Sequence, residues 1–266
     1  MMPQTPEKAF SSGVAVITGA GGGLGSGLAR HIASFGMAVI IADIDLERAE
    51  EVASDIRAAN GKAEARGVDV SRPDVQLLIN NAAIETLGPL WELSSSRWEA
   101  ILNANIHGPI HGVRAFLPRM MASGKECWIA NVSSVGAFTT IPGQSAYAVT
   151  KHSVQAFTES LYVELRSEKA PIHVSAVIPG LLNTGIFDWA RHEDSTVDPA
   201  QKKHRRAMAE LARKRGMGIE EASRLVVQQV AAGKLWVSTH PAILTEILQQ
   251  RTQFYESQGE PNVPPA

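Results

Sequence analysis

Tyr147 and Lys151 stand four residues apart, a spacing that puts both side chains on one helical face with their Cβ atoms about 5–6 Å apart. A phenol ordinarily ionises near pH ~10 and carries protons poorly at neutrality, but an ammonium beside it favours the phenolate. The pair can therefore make a proton-transfer group. Taken alone, Tyr-x-x-x-Lys is a weak signal, common by chance on solvated helix faces. Its surroundings give it weight: the run Trp128-Ile-Ala-Asn-Val-Ser133 reads as a strand, and Ser133 and Ser134 emerge at its C-terminal end, where open parallel sheets bind ligands.

A second constellation lies near the N-terminus. Val14-Ala-Val-Ile-Thr18 is a short apolar run suited to a strand buried on both faces. It leads into Gly19-Ala-Gly-Gly-Gly-Leu-Gly25 and then Leu28, Ile32 and Phe35 at helical spacing. Glycines here let the backbone approach a pyrophosphate, and the following helix offers free N–H groups and a favourable dipole. Gly19, Gly21, Gly23, Leu24 and Gly25 are thus candidate cofactor residues. A second strand, Ala38-Val-Ile-Ile-Ala-Asp43, ends in an acid 18 positions after Gly25. That carboxylate can accept both adenosine ribose hydroxyls and would repel a 2′-phosphate. With no lysine or arginine beside Asp43, NAD is favoured over NADP. Asp45 is the better candidate to cap the helix that follows.

The elements that must position these residues read as one α/β domain over residues 1–266, with loose tails at 1–12 and 257–266. The expected fold is a Rossmann-type doubly wound parallel sheet of seven strands flanked by helices, in the order 3-2-1-4-5-6-7. Ser94-Ser-Ser-Arg97 can cap a helix running through Trp98, Ile101 and Leu102, which Gly108-Pro109 interrupts. Such a kink can aim Asn105 inward, or leave it as an internal cap. Residues 181–218 break the alternation and read as a substrate cover, with Ile186, Phe187 and Trp189 ahead of a basic run, Lys202-Lys-His-Arg-Arg206, that fits a solvated helix face.

Composition excludes several classes. Net charge is −2 with mixed signs, so neither nucleic acid nor an acidic membrane is the default partner. Cys127 is the single cysteine, in keeping with a reducing, cytoplasmic setting, and its neighbours give no sign of a thiolate. No apolar run reaches the roughly 20 residues of a membrane span, and no metal-ligand pattern is present.

One stretch does not fit. Asp69-Val70 should flank the adenine pocket and Leu77-Leu-Ile-Asn80 is the next buried strand, yet only Ser71-Arg-Pro-Asp-Val-Gln76 lies between them. The crossover must span three strand spacings, about 14 Å, and return along a strand of about 17 Å. Six extended residues reach at most about 20–22 Å, too little to go round the sheet. Roughly 15–20 residues are therefore expected to be missing, left out behind continuous numbering in preference to truly deleted. A Cα to Cα step well above ~3.8 Å between Val70 and Gln76 would show the break.

With these motifs assembled, the chain resembles the short-chain dehydrogenase/reductase family over nearly its whole length. The matching residues are Thr18-Gly-Ala-Gly-Gly-Gly23-Leu-Gly25, Asp43, Asp69-Val70, Asn80-Asn-Ala, Asn105 followed by Gly108, Ser134, Tyr147-x-x-x-Lys151, and Pro179-Gly180 with Thr184. Family spacing selects Ser134, thirteen residues before Tyr147, and leaves Ser133 a supporting role. The resemblance implies hydride transfer between a nicotinamide and an alcohol or carbonyl. Tyr147 would be the acid/base and Ser134 would hold the reacting oxygen. Lys151 would bind the ribose and lower the tyrosine pKa, and Asn105 would position a relaying water. Asn81 and Ala82 would contact the cofactor, as would Pro179, Gly180 and Thr184. It also implies a homodimer or homotetramer built through the helices containing Asn105 and Tyr147. Ala83 departs from the glycine usual in the family.

The leading expectation is an NAD-dependent alcohol dehydrogenase or carbonyl reductase acting on a small-molecule substrate. The rival is a dinucleotide-binding regulatory or scaffold protein that has lost turnover, and a third reading is an isomerase or lyase using the same cofactor site. Phe138, Ile141, Leu182, Phe187 and Trp189 could line an apolar pocket for a hydrophobic secondary alcohol or ketone, or could be packing residues.

Overall fold

The computed structural model describes residues 3–65, 75–188 and 199–260. In chain order the elements are α1 (Pro6–Ala9), β1 (Val14–Thr18), α2 (Gly23–Ser34), β2 (Ala38–Ala42), α3 (Leu46–Ala58), β3 (Lys62–Ala65) and β4 (Val75–Asn80). They continue with α4 (Ser95–Leu102), a π-helical segment (Asn103–His107), α5 (Gly108–Ser123), β5 (Cys127–Val132), α6 (Ser145–Ser167) and β6 (Ile172–Ile178). After a 3-10 turn (Gly185–Asp188) come α7 (Pro199–Arg215), α8 (Ile219–Ala231), β7 (Trp236–Ser238) and α9 (Pro241–Ser257). The seven strands form one sheet in the order β3-β2-β1-β4-β5-β6-β7, and every neighbouring pair is parallel. This is the doubly wound topology expected from the sequence.

The central strands are continuous apolar runs because helices cover both faces. One core unites Ile17, Ile41 and Ile79 of the sheet with Leu28 and Ile32 of α2, Val52 of α3 and Val226 of α8. The other sets Val16, Leu78 and Ile129 against Phe116 of α5 and Leu161 of α6. Both faces of β1 and β4 are thereby fixed, so the segments following these strands leave the sheet at its C-terminal edge side by side.

Local chemistry explains the ends. Asp45 caps α3 by accepting the Arg48 N–H, and Ser94 caps α4 by accepting the Arg97 N–H. The interruption expected at Gly108-Pro109 is a widening instead of a break. Pro109 has no N–H to donate, and the Gly108 N–H reaches back five residues to the Asn103 carbonyl, so the helix passes through a π turn into α5. The segment read as a loose N-terminal tail contributes α1, and Phe10 beyond it is fully buried, edge-on to Trp128 at 5.4 Å between ring centroids. Within the 181–218 stretch, α7 buries Ala209 and Ala212 while Lys203, His204 and Arg206 are exposed, a solvated basic face. The short crossover, with Asp69 and Val70, falls on residues 66–74, and Trp189 falls on residues 189–198; both lie outside the described residues. No described helix is long and apolar enough to cross a membrane.

Candidate active site

The glycine turn is held from the neighbouring strand. Asn81, just past β4, donates its Nδ2 to the carbonyls of Thr18 at 2.9 Å and Gly19 at 3.0 Å. In return Thr18 Oγ1 accepts the backbone N–H groups of Asn81 and Ala82, each at 3.0 Å. Asn81 is thus first a brace for the turn. Glycine is required at position 19, where φ is +63° and an added Cβ would lie 2.7 Å from the Ala82 Cα. Thr18→Val would leave two inward-facing N–H groups without their acceptor. The expected cost is about 1–3 kcal/mol of stability, measurable by chemical denaturation, with weaker dinucleotide binding alongside it.

A dinucleotide fits what the turn presents. Gly22 precedes α2 and offers no side-chain cap, leaving first-turn N–H groups for an anion. Asp43 lies beside the turn, accepting the Gly21 N–H at 2.8 Å and the Asp45 N–H at 3.0 Å, which locks its carboxylate at the end of β2. On the other side, Thr184 overlies the turn, 3.5 Å from where a Gly23 Cβ would be. A cavity of about 420 Å³ opens there, lined by Gly23, Ser26, Arg30, Thr184, Arg213 and Ile219 among others. Gly180 donates its N–H to Thr239 Oγ1 at 3.1 Å, fixing the backbone after β6.

The second half of the site sits at the ends of β5 and α6. Lys151 is 2% exposed; its Nζ donates to the Val132 carbonyl at 2.9 Å and lies 5.5 Å from the Tyr147 ring centroid. Ser133, fully buried, donates its hydroxyl to the Lys151 carbonyl at 3.2 Å, a supporting contact that ties β5 to α6. Ser134 Oγ accepts the Gly136 N–H at 3.0 Å, and it and the Tyr147 ring both lie against Gly136, 3.4 and 3.2 Å from where a Cβ there would be. Ser134, Tyr147 and Lys151 are therefore brought together.

Asn105 is 1% exposed, turned inward by the π segment as the sequence suggested. Its Oδ1 accepts the Ile84 N–H at 2.9 Å, and its Nδ2 donates to the Ile84 carbonyl and to Thr150 Oγ1, both at 3.0 Å. Thr150 in turn donates to the Tyr147 carbonyl at 2.8 Å. The side chain is thus a clamp between the loop after β4 and the first turns of α6, and Thr150 is a site member the sequence reading did not name.

Electrostatics correct one expectation. Burial pushes the Tyr147 phenol up from its ordinary value, the charge of Glu85 pushes the same way, and only the nearby Ser134 hydroxyl opposes them. The phenol is therefore not lowered, as the Lys151 pairing had suggested. Lys151 itself is pushed down by burial to about 8, with Glu85 holding it partly up. Glu85, which the sequence reading also missed, is pushed up by burial to about 8, with Lys151 acting against the rise.

Of the apolar candidates, Phe138 and Phe187 are partly buried and Ile141 is exposed. Leu182 is 7% exposed and belongs to the main core with Leu24 and Val226, so its side chain is packing and not pocket lining. Cys127 is fully buried, and its thiol is pushed up by that burial.

The family model for short chain dehydrogenases matches residues 13–195. The chain belongs to the short-chain dehydrogenase/reductase family. It is an oxidoreductase of that family on a NAD-binding Rossmann fold. A short-chain dehydrogenase/reductase from Burkholderia phymatum, solved in complex with NAD, is 30% identical, with 97% of this chain and 99% of that chain covered and a TM-score of 0.89. A cyclohexanol dehydrogenase from Acinetobacter sp. strain SE19 is 28% identical over 194 residues, 67% of this chain and 76% of the relative. A protein from Beutenbergia cavernae, solved with bound NADP at low occupancy, is 26% identical, with 85% and 94% of the chains covered and a TM-score of 0.69. Solved short-chain dehydrogenase/reductase neighbours thus carry NAD or NADP.

Proposed function

We propose that this oxidoreductase transfers hydride between NAD and a small secondary alcohol or ketone, with Ser134, Tyr147 and Lys151 as its catalytic residues. The convergence of these three at the C-terminal edge of the sheet, beside the braced glycine turn, carries the reading. The nicotinamide, when bound, supplies or accepts the hydride. Ser134 holds the substrate oxygen through its hydroxyl, and Tyr147 gives that oxygen a proton in ketone reduction or takes one in alcohol oxidation. A phenol held protonated by burial and by Glu85 serves reduction directly. Oxidation must first remove its proton, so its rate should climb with pH, while reduction keeps its proton donor until strongly alkaline pH. Lys151 would bind the ribose through its ammonium, and Asn105 would act by keeping Ile84 and Thr150, hence Tyr147, in place. Pro179, Gly180 and Thr184 would hold the nicotinamide end. A panel of secondary alcohols and ketones, followed by the absorbance of reduced nicotinamide, tests the reading; the cyclohexanol activity named for the Acinetobacter relative makes cyclohexanol the first choice.

NAD preference rests on Asp43, whose carboxylate is fixed beside the turn and would repel a 2′-phosphate. Asp43→Asn should reduce the NAD over NADP preference at least about tenfold, equivalent to ~1.4 kcal/mol, read from the two dissociation constants. A hydrophobic substrate is supported by Phe138, four residues beyond Ser134, and Phe187, three beyond Thr184, both partly buried. A homodimer or homotetramer through α5 and α6 is supported by Val149 and Val163, 48% and 61% exposed on α6. A cytoplasmic setting is supported by the lone, buried cysteine. A shortened crossover before β4 is supported by the reach of the chain, since only six residues, 71–76, separate Val70 from Leu77 and they are too few to go round the sheet. On that reading, part of the adenine side is missing here.

A further inference from the structure

Glu85 lies on the loop after β4, at the same edge of the sheet as the catalytic group, and its neighbour Ile84 is clamped at both N–H and carbonyl by Asn105. Ile84 also packs in one small apolar cluster with Tyr147, Ala146 and Ile101. The loop is therefore fixed against α6 and does not wander. Within it, Glu85 Oε1 is buried and has no hydrogen-bond partner among the described residues. A buried carboxyl oxygen left without a partner costs free energy, about 1–3 kcal/mol by mutational measures and more when it carries charge. Such a group is kept where it acts on something. Among the described residues, the charge that acts on Glu85 is Lys151, and the charge that acts on both Lys151 and Tyr147 is Glu85. Both belong to α6, and among the described residues no charge from another element acts on the set.

We propose that Glu85 is a positioning residue of the catalytic group: where its carboxyl is ionised, it holds the buried Lys151 ammonium charged and the Tyr147 phenol protonated. This rests on the roles proposed for Tyr147 and Lys151. The pair Glu85 and Lys151 titrates as a unit, in the same pH range in which both groups are shifted to about 8. The sign follows from the chemistry. A carboxylate stabilises a neighbouring ammonium and destabilises a neighbouring phenolate, so its removal lowers both pKa values. Above neutrality Lys151 should then lose its charge earlier, and Tyr147 should give up its proton earlier.

The test is the pH dependence of NADH binding, followed by nicotinamide fluorescence in wild type, Glu85→Gln and Glu85→Asp. Binding should weaken on the alkaline side as Lys151 loses its charge. In Glu85→Gln the midpoint of that loss should move toward acid by about 1 unit, while Glu85→Asp keeps the wild-type midpoint. With cyclohexanol and NAD, the acid limb of the oxidation profile should move in the same direction. Coincident binding midpoints in wild type and Glu85→Gln overturn the proposal, as does a uniform loss of rate with an unmoved profile. Should Glu85→Gln not fold, Glu85→Ala takes its place: the same displacement toward acid is expected, and an unmoved midpoint overturns the proposal. The fluorescence measurement needs no turnover, so a protein that binds NADH with the expected midpoints but oxidises nothing would defeat the proposed reaction and leave this inference standing.

Discussion

Tyr147→Phe is expected to lower turnover about 10²–10⁴-fold while leaving stability and NADH affinity in place. The phenylalanine ring keeps the packing against Ala146, Ile101 and Ile84, and the Lys151 Nζ keeps its bond to the Val132 carbonyl. What disappears is the phenol hydroxyl beside Ser134, and with it the proton donor to the substrate oxygen. Steady-state kinetics with an independent NADH titration separates the two effects. A variant with near wild-type turnover would remove Tyr147 from the chemistry, and one that also lost NADH binding would assign it to cofactor retention.

Lys151→Met should damage binding and rate together. The ammonium is the buried donor to the Val132 carbonyl, and the same charge faces Tyr147 across 5.5 Å. Hydrogen bonds to charged groups contribute about 1.5–3 kcal/mol, so an NADH dissociation constant raised about 10–100-fold is expected, with turnover falling alongside it. Stability should also fall, since Val132 O is left without its donor. The contrast with Tyr147→Phe is the diagnostic feature: one variant loses chemistry alone, the other loses both. Arginine is no remedy at this position, because a forked guanidinium cannot replace a point donor in a space shaped for Nζ.

The strands and the glycine turn were legible because a parallel sheet covered on both faces demands unbroken apolar runs, and Val14–Thr18, Leu77–Asn80 and Cys127–Val132 supply them. Tyr147, Lys151 and Ser134 were legible from spacing, since a helix and the end of its preceding strand place them together. The direction of the Tyr147 shift was not. Spacing shows the lysine at i+4 but neither the burial of the phenol nor Glu85, which lies 62 residues upstream and meets α6 only through the loop that Asn105 clamps. Asn105 itself was found for a reason that differs from its contacts: the kink turns it inward, and there it braces Ile84 and Thr150. Leu182 and Phe10 show the same limit. An apolar residue beside a site motif or in a proline-containing tail reads alike whether it lines a pocket or seals a core, and only the fold places both in the core.

The central claim is hydride transfer through this site, and isotope transfer tests it most directly. Cyclohexanol, or the best alcohol from the panel, is supplied with deuterium on its carbinol carbon together with unlabelled NAD, and the reduced cofactor is weighed by mass spectrometry. One deuterium per NADH is the predicted result, with none formed by Tyr147→Phe on the same timescale. Full NADH binding with no labelled NADH from any alcohol, or product formed with no net change in the cofactor, would contradict the account and favour a dinucleotide-binding scaffold or an isomerase.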